Sequence, residues 1–332
     1  MPIIITDTHL KNSNIETNKS IFLQAFNYAK EKDTFVIHAG DICDARVGWD
    51  AELQKVFHNI LLQAEEMGVE IHCISGNHDK KNLNDEFSYL SPFKFHKSFN
   101  LYENTGHLDV DDVRYHFLPY FKEKELYPTK LSQCVSNTRE GAKNVLITHI
   151  SIEGVRNNDG TIVGDPHGVS KNSFKAFDTV IVGHYHNKQT FGNIHYIGST
   201  FPHNYGETND KGVLLFEGDT FEVLPTNFKK YFTKNINLQS ENDVIATNNS
   251  NFNSDNSFVK VNITGHSSLV EAIDKKSIKA DKITTSKTDF EIIKTENIKT
   301  VHNKNSVNQN FEEYCVKNSM DLKEGLKCKE SP

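Results

Sequence analysis

Thr34-Phe35-Val36-Ile37-His38-Ala39-Gly40-Asp41-Ile42-Cys43-Asp44 is the stretch that decides the fold. An apolar run of strand length passes at Gly40 into a turn that carries two carboxylates, so a buried strand ends on acidic side chains. The pattern recurs on both sides. Upstream, Pro2 to Thr6 reads as a strand and runs into Asp7-Thr8-His9; downstream, Val69 to Ile74 runs into Gly76-Asn77-His78-Asp79. Farther on, Asn144 to Thr148 leads to His149, and Thr179 to Val182 leads to Gly183-His184-Tyr185-His186. Each strand delivers Asp, Asn or His to its end. Gathered at one rim, such side chains suit two divalent cations acting on a phosphate.

The segments between these strands set the fold class. Ser20 to Lys30 places Ile21, Phe22, Ala25, Phe26 and Ala29 on one helical face. A second helix is expected from about Trp49 to Met67, with Leu53, Val56, Phe57, Ile60, Leu61 and Ala64 as its apolar stripe and Gly68 as its stop. Further strands are expected at Arg114 to Leu118, Ile194 to Ile197, Gly212 to Phe216 and Thr220 to Leu224, the last few antiparallel. Helices alternate with strands early and strands dominate later, which predicts α/β architecture with packed sheets inside and helices outside.

Composition changes after Leu224. A catalytic domain is expected over 1–225 and a linker over 226–257, where Glu241 to Ser257 is rich in Asn. A small unit over 258–332 follows, with strands at Phe258 to Ile263, Lys282 to Thr285 and Phe290 to Ile293, a helix at Ser268 to Ile273 and a helical tail from Val307 to Leu326.

The chain has 332 residues, 36% of them hydrophobic, enough for a sizeable core. Its net charge of -7 excludes a chain drawn onto nucleic acid by overall basicity, so any DNA contact has to be local or assisted. The 5 cysteines lack C-x-x-C spacing, which argues against a disulfide framework or a zinc knuckle. No apolar run approaches the ~20 residues needed to span a bilayer. An intracellular, cytoplasmic protein with no membrane partner is expected.

The chemistry of the motifs assigns roles. Asp41 can bridge two cations through its two oxygens, while His and Asn complete the shells without neutralising them. His78, beside Asn77, is placed to protonate a leaving oxygen, with Asp79 or Asp44 orienting it from behind the ligands. His203 stands in a loop that either faces the substrate or is structural, and residues 157–165 form either a lid or a plain surface loop.

The ordered set D-x-H, G-D-x-x-D, G-N-H-D, T-H and G-H-x-H resembles the calcineurin-like metallophosphoesterases. The resemblance implies a four-layer αββα sandwich with a small α+β C-terminal capping domain. It also implies two divalent metal ions, manganese first and magnesium second. Asp7, His9, Asp41 and His186 would hold one ion, and Asp41, Asn77, His149 and His184 the other, with His78 catalytic. Ala45 stands where the protein phosphatases of this superfamily carry Arg, which disfavours that branch. Gly198-Ser199-Thr200, Asn204-Tyr205-Gly206-Glu207 and the unit starting Phe258-Val259-Lys260-Val261 look like the SbcD nucleases, closest to their bacteriophage versions. That implies exonuclease action on duplex ends and endonuclease action on single strands in DNA recombination and repair. The implied partners are DNA, an SbcC-like coiled-coil ATPase and a second copy of the chain. The alternatives are a small-molecule phosphodiesterase or phosphatase, and a DNA-end-binding scaffold subunit.

Overall fold

The computed structural model describes residues 1–46, 48–83, 87–157, 160–163 and 169–288. Two six-stranded sheets lie at its centre. The first runs β12 (Thr220–Val223), β11 (Leu214–Glu217), β1 (Ile3–Ile5), β2 (Val36–His38), β3 (Ile71–Ile74), β4 (Phe99–Tyr102). The second runs β5 (Gly106–Val110), β6 (Val113–Leu118), β7 (Lys143–Thr148), β8 (Thr179–Val182), β10 (Ile194–Tyr196), β9 (Gln189–Phe191). Strands β1 to β4 are mutually parallel, as are β6, β7, β8 and β10. Antiparallel strands close the edges of the parallel blocks, β11 against β1, β5 against β6 and β9 against β10.

Residue alternation explains the layers, because successive strand side chains point to opposite faces. Ile3 and Ile5 pack outward with Phe22, Phe26, Phe57 and Leu61 of the helices α1 (Ile15–Glu31) and α2 (Ala51–Met67). Ile4 faces inward and meets Phe117, Val145, Ile147 and Ile181 of the second sheet. On the far side Leu146, Val180 and Val182 pack against Tyr127, Leu131 and Cys134 of α3 (Leu126–Ser136). The result is four layers, helix, sheet, sheet, helix, as the family resemblance implied.

Helix α2 shows why its ends fall where they do. Asp50 caps it by accepting from Leu53 N at 2.9 Å, and Gly68 ends it at φ 69. Trp49 therefore lies just outside the helix, buried against Phe57. Helix α3 has no counterpart in the sequence reading; Pro128 suggests a break there, yet a proline is tolerated in a first turn, whose N–H groups have no helical partner.

A third sheet holds three parallel strands, β13 (Lys230–Leu238), β14 (Ser257–Gly265) and β15 (Lys282–Lys287). Helices α4 (Glu241–Asn248) and α5 (Ser267–Glu271) cover it, with Leu238, Val244, Val261, Ile263 and Val270 as a separate small core. The expected linker over 226–257 is thereby corrected, since it contains β13 and α4. Asparagine content suggested loop, but Ser240 and Asp243 form a capping box that starts α4 despite the weak helix formers after it. Asn209 pairs with both backbone groups of Tyr231, which fastens this unit to the loop after the last histidine motif. The expected strand at 290–293 and the tail helix at 307–326 lie outside the described residues. Cys43, Cys73 and Cys134 are buried free thiols. Among the described residues no helix is long and apolar enough to cross a membrane.

Candidate metal centre

The ends of β1, β2, β3, β7 and β8 meet at one rim, and their motif residues form three overlapping donor groups. Asp7, His9 and His186 make one, His9, Asp41 and His78 the next, and Asp41, His149 and His184 the third. Within each group the ligand atoms lie within 4.8 Å of one another. His9 Nε2 and His186 Nε2 are 3.1 Å apart, and each is 3.8 Å from Asp7 Oδ1. Asn77 joins the third group, its Oδ1 lying 2.8 Å from His184 Nδ1.

Asp41 stands between the groups. Its Oδ2 is 3.8 Å from His9 Nε2 on one side and 3.1 Å from His149 Nε2 on the other. Its Oδ1 accepts the His78 backbone N–H at 2.7 Å, so a single oxygen faces both positions where two were expected. Burial alone would raise this carboxyl, but His149 and His9 beside it hold it well below the usual range. The fully buried Asp7 goes the other way, raised because burial outweighs its histidine neighbours.

The backbone is strained where these side chains leave it. Asp7 (φ 50), His9 (φ 43), Asp41 (φ 58) and His184 (φ 84) all adopt left-handed conformations that non-glycine residues rarely take. Gly76 is required by close approach, because a Cβ there would collide with the Asp41 carboxylate.

The residues around the donors fix their direction. Nδ1 of His149 is 2.8 Å from the Ala39 carbonyl, which can only accept, so Nδ1 carries a hydrogen and Nε2 is the nitrogen turned toward Asp41. Nδ1 of His186 is 2.9 Å from Glu207 Oε1, and its Nε2 is the nitrogen turned toward Asp7. His203 donates from Nε2 to the Asp7 carbonyl at 2.7 Å, and burial lowers its pKa to about 3, which makes it a neutral brace for the Asp7 turn.

The two carboxylates expected behind the ligands separate. Asp44 Oδ1 lies 3.0 Å from His78 Nδ1, and that hydrogen bond holds the Asp44 carboxyl low. Asp79 faces away from His78. It accepts backbone N–H groups from Asp41, Cys43 and Gly76 at 3.0, 2.9 and 2.7 Å, tying two motif turns together. His78 remains partly open, with its ring 4.6 Å from that of His9.

The donor set fits divalent cations. Mixed carboxylate, imidazole and amide donors converge, and the two histidines held at Nδ1 turn their Nε2 atoms inward. Sequence reasoning placed Glu207 in a motif without giving it a role, and it passed over Lys211. Their signal was a Glu and a Lys four apart in a stretch with no helical pattern. Of the segment 157–165, read as either a lid or a plain surface loop, only residues 157 and 160–163 are described, and Asn157 N bonds to Thr161 O at 2.9 Å in a local turn.

The calcineurin-like phosphoesterase family profile matches residues 3–188, more than half of the chain. The protein belongs to that family, whose members bind a dinuclear metal centre. It is similar to the SbcD component of the nuclease SbcCD of Staphylococcus epidermidis, at 28% identity over 242 residues that cover 64% of this chain and 63% of that one. It is also similar to exonuclease subunit 1 of Enterobacteria phage T4, at 23% identity over 210 residues that cover 61% and 60%. The chain thus spans a little over three fifths of the length of these relatives. A solved dimetal phosphatase from Danio rerio aligns with 59% of this chain and 85% of its own at 11% identity and a TM-score of 0.34.

Proposed function

We propose that this protein is the nuclease subunit of a DNA recombination and repair complex, hydrolysing phosphodiesters with two divalent ions, manganese in the native state. The observation that carries the reading is the single Asp41 oxygen facing His9 on one side and His149 on the other. Asp7, His9, Asp41 and His186 would hold one ion, and Asp41, Asn77, His149 and His184 the other. When bound, the ions supply Lewis acidity toward a phosphoryl oxygen and acidify a water. His78 then gives its proton to the leaving oxygen of the nucleotide, while Asp44 keeps the ring turned toward it. Asp79 holds the turns that carry Asp41 and Asn77.

The similarity to the SbcD component of a nuclease and to a phage exonuclease subunit supports DNA as the substrate. In this reading the enzyme digests duplex ends and nicks single strands, works as a dimer in the cytoplasm of its cell or host cell, and is stimulated by an SbcC-like ATPase. Residues 1–225 form the catalytic domain, and the unit beginning at β13 caps it. Incubating the full chain with labelled duplex, single-stranded DNA and p-nitrophenyl phosphodiesters, each with manganese, magnesium or no metal, tests the proposal. Metal-dependent cleavage of DNA supports it; cleavage of the small diester alone returns the chain to the small-molecule phosphodiesterases, and no cleavage of any leaves a DNA-end-binding scaffold.

A further inference from the structure

We infer that Glu207 is a positioning residue that locks His186 in its metal-binding tautomer, and that Lys211 anchors Glu207 as a carboxylate. The inference rests on the two-metal reading above. Glu207 is buried, and among the described residues its partners are His186 Nδ1 and four groups able to donate. Its Oε1 takes His186 Nδ1 at 2.9 Å and Asn204 Nδ2 at 2.7 Å. Its Oε2 takes Ser199 Oγ and the His203 backbone N–H, each at 3.2 Å, and lies 3.1 Å from Lys211 Nζ.

Lys211 is buried as well, and its ammonium has no lone pair, so it only donates. It gives hydrogen bonds to Ser199 Oγ at 2.7 Å and to the backbone carbonyl of His186. One cation therefore grips the main chain of the histidine and the carboxylate that turns its ring. With donors on every side, only an ionised carboxylate satisfies the pocket. The His186 nitrogen facing it must then carry the hydrogen, and Nε2 presents a lone pair toward His9 and Asp7.

His149 obtains the same tautomer from a backbone carbonyl, that of Ala39, which no side-chain substitution removes. The two metal positions are thus separable at Glu207. In Glu207→Gln the amide has the same shape but brings an NH₂ among donors, and when it turns that NH₂ to His186 the ring hydrogen moves to Nε2.

The test uses the full chain, nitrogen-15 labelled and metal-free, at alkaline pH where the ring is neutral. Long-range proton–nitrogen correlation spectra should show His186 as the Nδ1–H tautomer in wild type and as a mixture in Glu207→Gln. Calorimetric titration with manganese should show one of two ions weakened about ten- to a hundredfold in the variant, the other unchanged. Wild-type His186 found as the Nε2–H tautomer overturns the inference even if the variant fails to fold. A variant that binds both ions with wild-type affinity overturns it alone, and wild-type protein that takes up no manganese overturns the two-metal reading and this inference with it.

Discussion

In the proposed mechanism His78 moves a proton and holds no metal, and the two tasks can be separated. The ring bonds to Asp44 through Nδ1 and its backbone N–H bonds to Asp41, so removing the side chain leaves the Asp41 carboxylate braced. His78→Ala should keep both ions and lose about a hundred- to ten-thousandfold in phosphodiester cleavage, read as metal content beside rate. A variant that loses metal in step with activity makes His78 a ligand. Asp41→Asn should weaken both ions together while His9→Ala mainly weakens one, and manganese titration separates the two. His149 adds a pH dependence. Burial works to lower its pKa, Asp41 outweighs burial, and the ring titrates at about 9 in the metal-free fold against an ordinary 6.5. A cation on Nε2 has to expel that proton, so manganese affinity should rise by about tenfold per pH unit up to 9 and then level off. The same raised pKa stabilises the metal-free fold below pH 6.5, a contribution lost as pH rises through 9. Calorimetry in two buffers of different ionisation enthalpy counts the proton released per ion, and a count of zero at neutral pH removes His149 as its source. The gathering of the seven expected residues at one rim was legible because each motif follows an apolar run. The choice between Asp44 and Asp79 was not, since both sit beside the same turns and only side-chain direction separates them.

Among the elements, the end of β8 is where the two sheets press together. A Cβ on Gly183 would meet Ala39 O at 2.5 Å, Thr6 Oγ1 at 2.6 Å and His149 Nδ1 at 2.7 Å, atoms from beyond β2, β1 and β7. Gly183→Ala has to pry the layers apart at the rim and should lose about 1–3 kcal/mol of stability together with manganese affinity. Gly192→Ala, at φ 63 with open space around it, isolates backbone strain and should leave metal binding intact. Thermal unfolding beside metal titration compares the two, and equal metal affinity in Gly183→Ala and wild type rules out the wedge. Helices α1 and α2 were readable because a full apolar stripe repeats at helical period, with Gly68 marking one end. Helix α4 was not, because its stability lies in a cap at Ser240 and in contacts of Val244 with the small sheet, and its composition carries neither.

For the whole molecule, charge and the proposed substrate pull in opposite directions. A chain of net charge -7 gains little from counterion release on DNA, so duplex should be cut slowly by the protein alone and faster with an SbcC-like ATPase that supplies a basic surface. Truncation after Asn305 should abolish the stimulation and spare cleavage of a small diester, which needs only the rim of the two sheets. Stimulation that survives truncation puts the contact elsewhere, and strong unaided binding to duplex at physiological salt defeats the charge argument. Packed sheets with helices outside were legible because helices alternate with strands early and strands dominate later; the four-layer order came from the family resemblance, and α3 went unread. The third sheet was only half legible, since β13 has mostly exposed side chains and packs only Ile236 and Leu238, at its end, against the small core.

The pairing of β1 with β11, Ile3 opposite Leu215, has a consequence for how the protein is made. Strand β1 leaves the ribosome ahead of its antiparallel neighbour, which follows some two hundred residues later, on the order of ten seconds or more at ordinary translation speeds. Until then one edge of the first sheet stays open, a template for pairing with other nascent chains. His186 and Glu207 also emerge late, so a partly synthesised chain carries an incomplete centre. A chain cut short before Glu207 should therefore be inactive, and the open edge closes only once synthesis passes Val223.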